Sequence, residues 1–396
     1  MAHNAKFSIA LDVGTSNLNG LLLDLSGPKA VSRKGIINSQ VLFGGDVISR
    51  LNFAISKESG LESLNREIIK NIDELIRGLV LEAGADAVEV ERILCVGNSA
   101  MHHLVLSIPP EGLARSPFRP SHVNRAFRGK AKELGLGICP ESDFEFMPNL
   151  GGFVGSDALA VIIATGIYRS ESTVLAIDIG TNGEVILGNR DRIFVTSTSA
   201  GPAFEGWHIS CGMQAVEGAI ESLEIKSGEL SYTTIGGMPP KGLCGSGLID
   251  LAATLLDTGS LDRTGRLADE KFRISGDIHI TQDDIREIQL AKAAIKSAVN
   301  LLRKKSGRRV IEKAFLTGRF GSSISKANAK AIGILPEDVD SGRVEILKDG
   351  ALSGAASILA SKDLEKAALG LYNRITHVEL HKEKGFQDEF VNAMGF

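Results

Sequence analysis

The sequence is short of the features that mark several large classes of protein. It carries no excess of positive charge: the formal net charge is −4, so no basic field recruits nucleic acid. Its longest purely apolar stretches, such as ALAVIIA at 158–164, fall far short of the ~20 residues a membrane helix needs. No basic stretch leads into an uninterrupted apolar core at the N-terminus, so no signal peptide is read and the cytoplasm is the expected location. The four cysteines, Cys95, Cys139, Cys211 and Cys244, are scattered, and no C-x-x-C occurs. That excludes the ligand spacing of iron–sulfur sites and zinc ribbons and leaves small buried thiols as the expected state. Aromatic residues are only 5% of the chain, with one tryptophan.

What the sequence has in quantity is glycine, 44 residues in 396, and a figure that occurs twice. Residues 9–25 read IALDVGTSNLNGLLLDL, and residues 175–189 read LAIDIGTNGEVILGN. In each, an apolar run ends in an acid, Asp12 or Asp178. A small polar, Gly-containing turn follows (Gly14-Thr15-Ser16-Asn17; Gly180-Thr181-Asn182-Gly183), and then a second apolar run. A hairpin turn alone accounts for Asn182-Gly183. It does not account for an acid where a strand calls for Val or Ile, and does so even less when the acid recurs. The copies are too far apart for a solenoid with a repeat of about 20–50 residues, so the pattern predicts duplication of a whole domain.

Chemically, the figure reads as a phosphate site. Glycines let backbone N–H groups approach an anion, and the hydroxyls of Thr15, Ser16 and Thr181 add donors. Two carboxylates at strand ends can hold Mg²⁺, mostly through its waters, because that ion dehydrates reluctantly. Asp12 and Asp178 are therefore the candidate metal and catalytic acids. Gly14, Thr15, Ser16, Gly180, Thr181, Asn182 and the later Gly201 are the candidate phosphate contacts. Glu205, in the Gly-rich SAGPAFEGW, can reach a terminal phosphate and orient an attacking water; the competing reading is a loop acid that caps a helix.

Elsewhere, 61–84 carries apolar residues at helical spacing and ends at Gly84. Residues 90–108 read as strand, polar turn and helix, and 155–167 as a helix. The clearest helix starts at the Thr281/Asp284 capping box, carries an apolar face from Ile285 to Leu302, and ends at Gly307. Its terminal Arg303, Lys304 and Lys305 are read as complementing the helix C-terminus. Residues 313–324 and 344–361 again read as strand, turn and helix. The loop Gly318-Arg319-Phe320-Gly321 follows two phosphate hairpins at the place expected to carry an adenosine. The halves are expected at 1–165, with a loop-rich insertion near 109–150, and 166–396, with a C-terminal tail.

This order of segments resembles the superfamily of acetate and sugar kinases, heat-shock ATPases and actin. Phosphate 1, connect 1, phosphate 2, adenosine and connect 2 map to 9–25, 92–104, 174–188, 314–324 and 346–358. The resemblance implies an α/β fold of duplicated ribonuclease-H-like (actin-like ATPase) domains, mixed sheets flanked by helices, with a nucleotide cleft between them. Within the superfamily, GDVISRL, VGNSAMHHL, PNLGGFVGSDALA, IDIGTNGEVILGN, STSAGPAFEGWHISCGMQAVEGAI, GLCGSGLID and TQDDIREIQLAKAAI look like the ATPase part of the reductive activators of corrinoid-dependent methyltransferases. That implies ATP and Mg²⁺ as cofactors and a corrinoid protein as partner, whose cobalt is returned from cob(II) to cob(I). It also implies a homodimer. Those activators usually carry an iron–sulfur domain; no such ligand spacing occurs here, so electrons are expected from a separate ferredoxin-type donor or a missing module. Two local departures stand out: Arg319 where the adenosine loop usually has Gly, and Lys348-Asp349-Gly350 where connect 2 usually has Gly-Asn. The alternatives are a small-molecule phosphotransferase of the same superfamily, a scaffold without nucleotide, and an acyl-CoA dehydratase activator, which needs a cluster bridging a dimer.

Overall fold

The structure is a computed structural model that describes residues 7–27, 29–226, 228–308, 310–318 and 324–396. In chain order the first part carries β1 (Phe7–Val13), β2 (Asn17–Asp24), β3 (Lys29–Ile37), α1 (Val47–Ser56), α2 (Gly60–Ala83), β4 (Val90–Gly97), α3 (Ser99–Val105), α4 (Glu111–Ala114), β5 (Phe127–Lys130), β6 (Asp143–Phe146) and α5 (Ser156–Thr165). Next come β7 (Val174–Ile179), β8 (Gly183–Gly188), β9 (Ile193–Thr198), β10 (Ala219–Lys226), β11 (Glu229–Thr234), β12 (Gly242–Leu243), α6 (Gly245–Asp257), β13 (Lys271–Ser275), β14 (Ile278–Thr281), α7 (Gln282–Ser306), β15 (Lys313–Gly318), α8 (Lys326–Ala331) and β16 (Val344–Lys348). The chain closes with α9 (Gly350–Ala360), α10 (Lys362–Gly370) and α11 (Phe386–Asn392). No helix among the described residues is long and apolar enough to cross a membrane.

Two compact units result, residues 1–168 with 350–377, and residues 169–349 with 378–396. In the first, the sheet order is β3-β2-β1-β4-β6-β5. Strands β2 and β3 run antiparallel to their neighbours on one side of β1, while β4 and β6 continue parallel on the other. Strand β1 is buried along almost its whole length, as a central strand covered on both faces must be, which explains its near-continuous apolar run. Helix α2 lays Leu64, Ile68, Ile72, Leu75 and Leu79 into this core and ends where Gly84 takes the left-handed conformation. The stretch 109–150 supplies β5 and β6 to the sheet as well as loops. Glu365 on α10 joins Arg92, Arg128 and Glu145 in one charged network (3.1, 2.8, 3.3 and 3.2 Å). This network ties the returning C-terminal segment to the edge of the first sheet.

In the second unit the strands run β9-β8-β7-β15-β16, with the same alternation: two antiparallel neighbours on one side of β7, two parallel ones on the other. The fold is thus α/β and duplicated, with mixed sheets, as the repeated hairpin predicts. A smaller sheet, β11-β10-β12, and the β13/β14 hairpin elaborate this unit. Helix α7 begins at the Thr281/Asp284 capping box and stops at Gly307 in the left-handed region. Arg303 pairs with Asp338 at 2.6 Å and Lys305 pairs with Glu383. Arg308 donates to Asn189 and Thr173. These pairs give Arg303, Lys305 and Arg308 structural partners within their own unit.

Candidate functional site

Asp12 is the next-to-last residue of β1, opposite Asn19 on β2 and Val96 on β4. Asp178 is the next-to-last residue of β7, opposite Glu184 on β8 and Thr317 on β15. Both are half-buried. The residue after each acid pairs with a glycine that ends the parallel neighbour: Val13 with Gly97, and Ile179 with Gly318. A Cβ on Gly97 would lie 2.5 Å from the Val13 carbonyl oxygen, and one on Gly318 would lie 2.2 Å from that of Ile179. Gly318 also sits at φ 116°. Both strands therefore need glycine where the backbone closes onto the acid-bearing strand.

The first turn is held from behind. Gly14 N–H donates to Asn17 O at 2.9 Å. Each carbonyl that follows has a donor from the scaffold: Asn38 Nδ2 to Gly14 O (3.0 Å), Arg50 Nη1 to Thr15 O (2.7 Å) and Asn38 N–H to Ser16 O (2.9 Å). Asn98 Nδ2 donates to Thr15 Oγ1 at 2.9 Å, while its Oδ1 caps α3. In a trans peptide the N–H points opposite the C=O. Fixing three successive carbonyls on the scaffold side directs the N–H groups of Thr15, Ser16 and Asn17 the other way, as in an anion nest.

The second turn is closed one residue sooner: Gly180 N–H donates to Asn182 O at 3.1 Å, where Gly14 N–H reaches Asn17 O. Its surroundings differ. Thr181 Oγ1 donates to Glu205 Oε2 at 3.0 Å, so the structure brings these two candidates together. Glu205 ends the short turn Ala203–Glu205, which follows Gly201 (φ 74°). Ala203 and Phe204 are sunk in the core and anchor this turn. A cavity of about 120 Å³ opens beside Glu205, lined by residues 213–216 and Gly245, which is room for a few water molecules. Gly318 closes β15; Arg319, Phe320 and Gly321 lie outside the described residues.

The residue types present fit a magnesium nucleotide. The first turn, with the N–H groups of Thr15, Ser16 and Asn17 directed away from the scaffold, suits phosphate, and the second has the same Gly-Thr start. One carboxylate beside each turn suits a cation bound through water, which needs no dense ligand cluster. No group of three or more His, Cys, Asp or Glu able to hold a metal occurs among the described residues. All four thiols are free. Cys211 Sγ faces Asp277 O and Cys244 Sγ faces Ile220 O. Burial raises the thiols of Cys95 and Cys139, the latter to about 11.

The sequence reading missed Arg50, Asn38 and Asn98. Asn98 was open to discovery as an N-cap before a helix. Arg50 gave no local cue. Nor did the histidines of α3. His103 donates from Nδ1 to Ser99 O and accepts at Nε2 from Ser121 N–H. Neighbouring His102 is fully buried with neither ring nitrogen bonded; burial first, then His103 and His122, lower its pKa to about 3.

Residues 7–170 match the family described as the RACo middle region, and residues 172–396 match that of the C-terminal, ASKHA domain of RACo. The chain is 34% identical to a corrinoid activation enzyme, RamQ, of Eubacterium limosum over 98% of its own length and 69% of that protein's. It is 29% identical to a [Co(II) methylated amine-specific corrinoid protein] reductase of Methanosarcina barkeri over 83% of its length and 66% of the relative's. A solved reductive activator for a corrinoid, iron–sulfur protein superposes with a TM-score of 0.91 at 34% identity, covering all of this chain and 67% of that one. The chain thus spans about two thirds of the length of these relatives.

Proposed function

The chain belongs to the RACo family, and on that premise we propose that it uses ATP to return the cobalt of a corrinoid protein from Co(II) to Co(I) for a methyltransferase system. The names of its relatives supply the partner class. The observation that carries the nucleotide half is the duplicated acid-and-turn hairpin, each copy closed by a glycine strand end. Asp12 and Asp178 would hold Mg²⁺ through its waters, and the two turns would hold the phosphates by their N–H groups. Bound Mg²⁺ would supply charge compensation for phosphoryl transfer, which depends chiefly on positioning and electrostatics. Glu205, next to a cavity with room for water, would orient the attacking molecule and take its proton at a carboxylate oxygen. The adenosine falls to the segment after Gly318. We further propose slow ATP hydrolysis, a homodimer in the cytoplasm, and electrons from a low-potential iron–sulfur donor of ferredoxin type.

ATP is needed because a ligand shifts an equilibrium only through its differential affinity for two states. Moving a ratio from 1:99 to 99:1 takes about 5.5 kcal/mol, equivalent to roughly 240 mV for one electron. A nucleotide-dependent conformation that remodels the cobalt's surroundings in the bound partner can supply a shift of that size. The test is an anaerobic spectrum of corrinoid protein and reductant, with and without this chain and with and without Mg-ATP. Faster and fuller formation of Co(I) only when chain and nucleotide are both present is expected. An unchanged Co(I) signal across several corrinoid partners would overturn the proposal.

A further inference from the structure

Helix α1 turns Val47, Arg50 and Leu51 into the first unit, the i, i+3, i+4 stripe that normally carries only apolar side chains. The helix is fixed in that orientation by a reciprocal capping box between Asp46 and Ser49. The Arg50 side chain is fully buried. Its Nε donates to Gly44 O at 2.8 Å, and Nη1 donates to Thr15 O at 2.7 Å and, less closely, to Gln40 Oε1 at 3.4 Å. All three acceptors are neutral, and Nη2 is buried without one. Among the described residues no carboxylate forms an ion pair with it. Burial lowers its pKa to about 10, opposed by Asp46, so it remains cationic at neutral pH. A buried cation served only by neutral acceptors is costly, and a leucine or methionine would satisfy the stripe.

We propose that Arg50 is a positioning residue for the first phosphate turn, charging the Thr15–Ser16 peptide so that the Ser16 N–H becomes a stronger donor to a nucleotide phosphate. This rests on the nucleotide reading above. Thr15 C=O and Ser16 N–H belong to one planar amide, and a cation bonded to the oxygen polarises the N–H at the other end. The two flanking peptides are backed by neutral donors of Asn38, its side-chain amide at Gly14 O and its backbone N–H at Ser16 O, so of the three this amide alone is backed by a charge. The bound anion in turn offsets the buried cation, so Arg50 favours the occupied turn over the empty one. A lysine reaches one carbonyl but cannot span Gly44 O and Thr15 O in a fixed fork.

The test is titration calorimetry of the whole chain and of Arg50→Lys and Arg50→Met with Mg-ATP, Mg-ADP and adenosine. Both variants should bind Mg-ATP and Mg-ADP about 10- to 100-fold more weakly, as expected for losing one charge-assisted bond, with adenosine affinity changed by less than about twofold. A merely structural role would lower the unfolding midpoint and leave the nucleotide affinity of the folded fraction at the parent value, and that result overturns the inference. Should both variants fail to fold, the parent protein decides. The Arg50 Nε–H resonance should shift on adding Mg-ATP and stay fixed on adding adenosine, and an unmoved resonance in both overturns the inference. If the parent binds no Mg-ATP at all, the nucleotide reading falls and this inference with it. If the parent binds and the variants match it, only the role of Arg50 falls.

Discussion

Behind the turn Gly14–Ser16 stand a guanidinium and two asparagines; beside the turn Gly180–Asn182 stands a carboxylate. The backbones share one plan. Each follows a strand-end aspartate, each is closed by one short N–H to carbonyl bond, and each faces a parallel strand that ends in glycine. The first turn is one residue longer, with Val13 opposite Leu18 where Ile179 stands opposite Gly183, and the side chains around the two turns have diverged further. The first turn has its carbonyls pinned by Asn38 and Arg50 and its hydroxyl by Asn98. The second shares its threonine with Glu205. Duplicated backbones tolerate such divergence because the hairpin geometry comes from main-chain pairing, while the electrostatic character comes from whatever packs against it. On the proposed function, the cation behind one turn would favour holding an anion, and the acid beside the other would favour acting on water.

The harshest way to break the comparison is to remove the feature the turns share. Asp178→Ala and Asp12→Ala should each cut the rate of phosphate release from ATP by about 10²-fold or more, on the scale of losing one preorganised electrostatic contact. A variant that hydrolyses ATP at the parent rate would remove its turn from the site. Glu205→Gln tests what the turns do not share. The amide keeps an oxygen for Thr181 but is a poor base. The expected result is a fall in kcat of about 10–100-fold with the KM for ATP changed little. A large rise in KM with kcat intact would make Glu205 a binding residue instead.

The glycine strand ends test how far the backbones are equivalent. Gly97→Ala and Gly318→Ala both drive a Cβ into a carbonyl oxygen, and overpacking of this kind costs about 1–3 kcal/mol. Gly318 adds a left-handed φ, so its substitution should cost about 1–3 kcal/mol more. Urea unfolding of the two variants checks the order; equal losses would mean that the φ at Gly318 relaxes. The most gradual effect, spread over several pH units, belongs to the first unit alone. His102 has a folded pKa near 3, far below that of an exposed histidine, so between about pH 6.5 and 3 the unfolded chain binds a proton that the folded chain refuses. Stability is therefore highest above pH 6.5 and falls as pH drops, by about 1.4 kcal/mol for each unit below that value. Urea midpoints measured from pH 7.5 to 5 should show this slope, and His102→Phe should flatten it. An unchanged slope in the variant would assign the acid sensitivity to other groups.

Much of this molecule is written locally. An apolar run that ends in an acid and a glycine turn specifies the two hairpins at β1/β2 and β7/β8. Thr281 with Asp284 specifies where α7 starts, and Gly84 and Gly307 where α2 and α7 stop, because caps are contacts between near neighbours. Three features were not legible. The strand β6, only Asp143–Phe146, lies in a proline-broken stretch and exists as a strand through parallel pairing with β4. The segment 350–377 reads as the end of the second half but is counted with the first unit, where Glu365 meets Arg92 and Arg128. And Arg50 looks like any helical arginine until the turn it supports is seen.

By itself, then, the sequence determined the duplicated hairpins with an acid near the end of the first strand of each, the α/β alternation and the helix boundaries, since each is encoded by periodicity, capping or a turn within a few residues. Tertiary structure alone decided what stands behind each turn. Asn38, Arg50 and Asn98 reach Gly14, Thr15 and Ser16 across 22 to 83 positions of chain, and Glu205 reaches Thr181 across 24. Contacts at such separations leave no periodicity in the sequence, because they are fixed by the packing of whole elements rather than by the propensities of neighbouring residues.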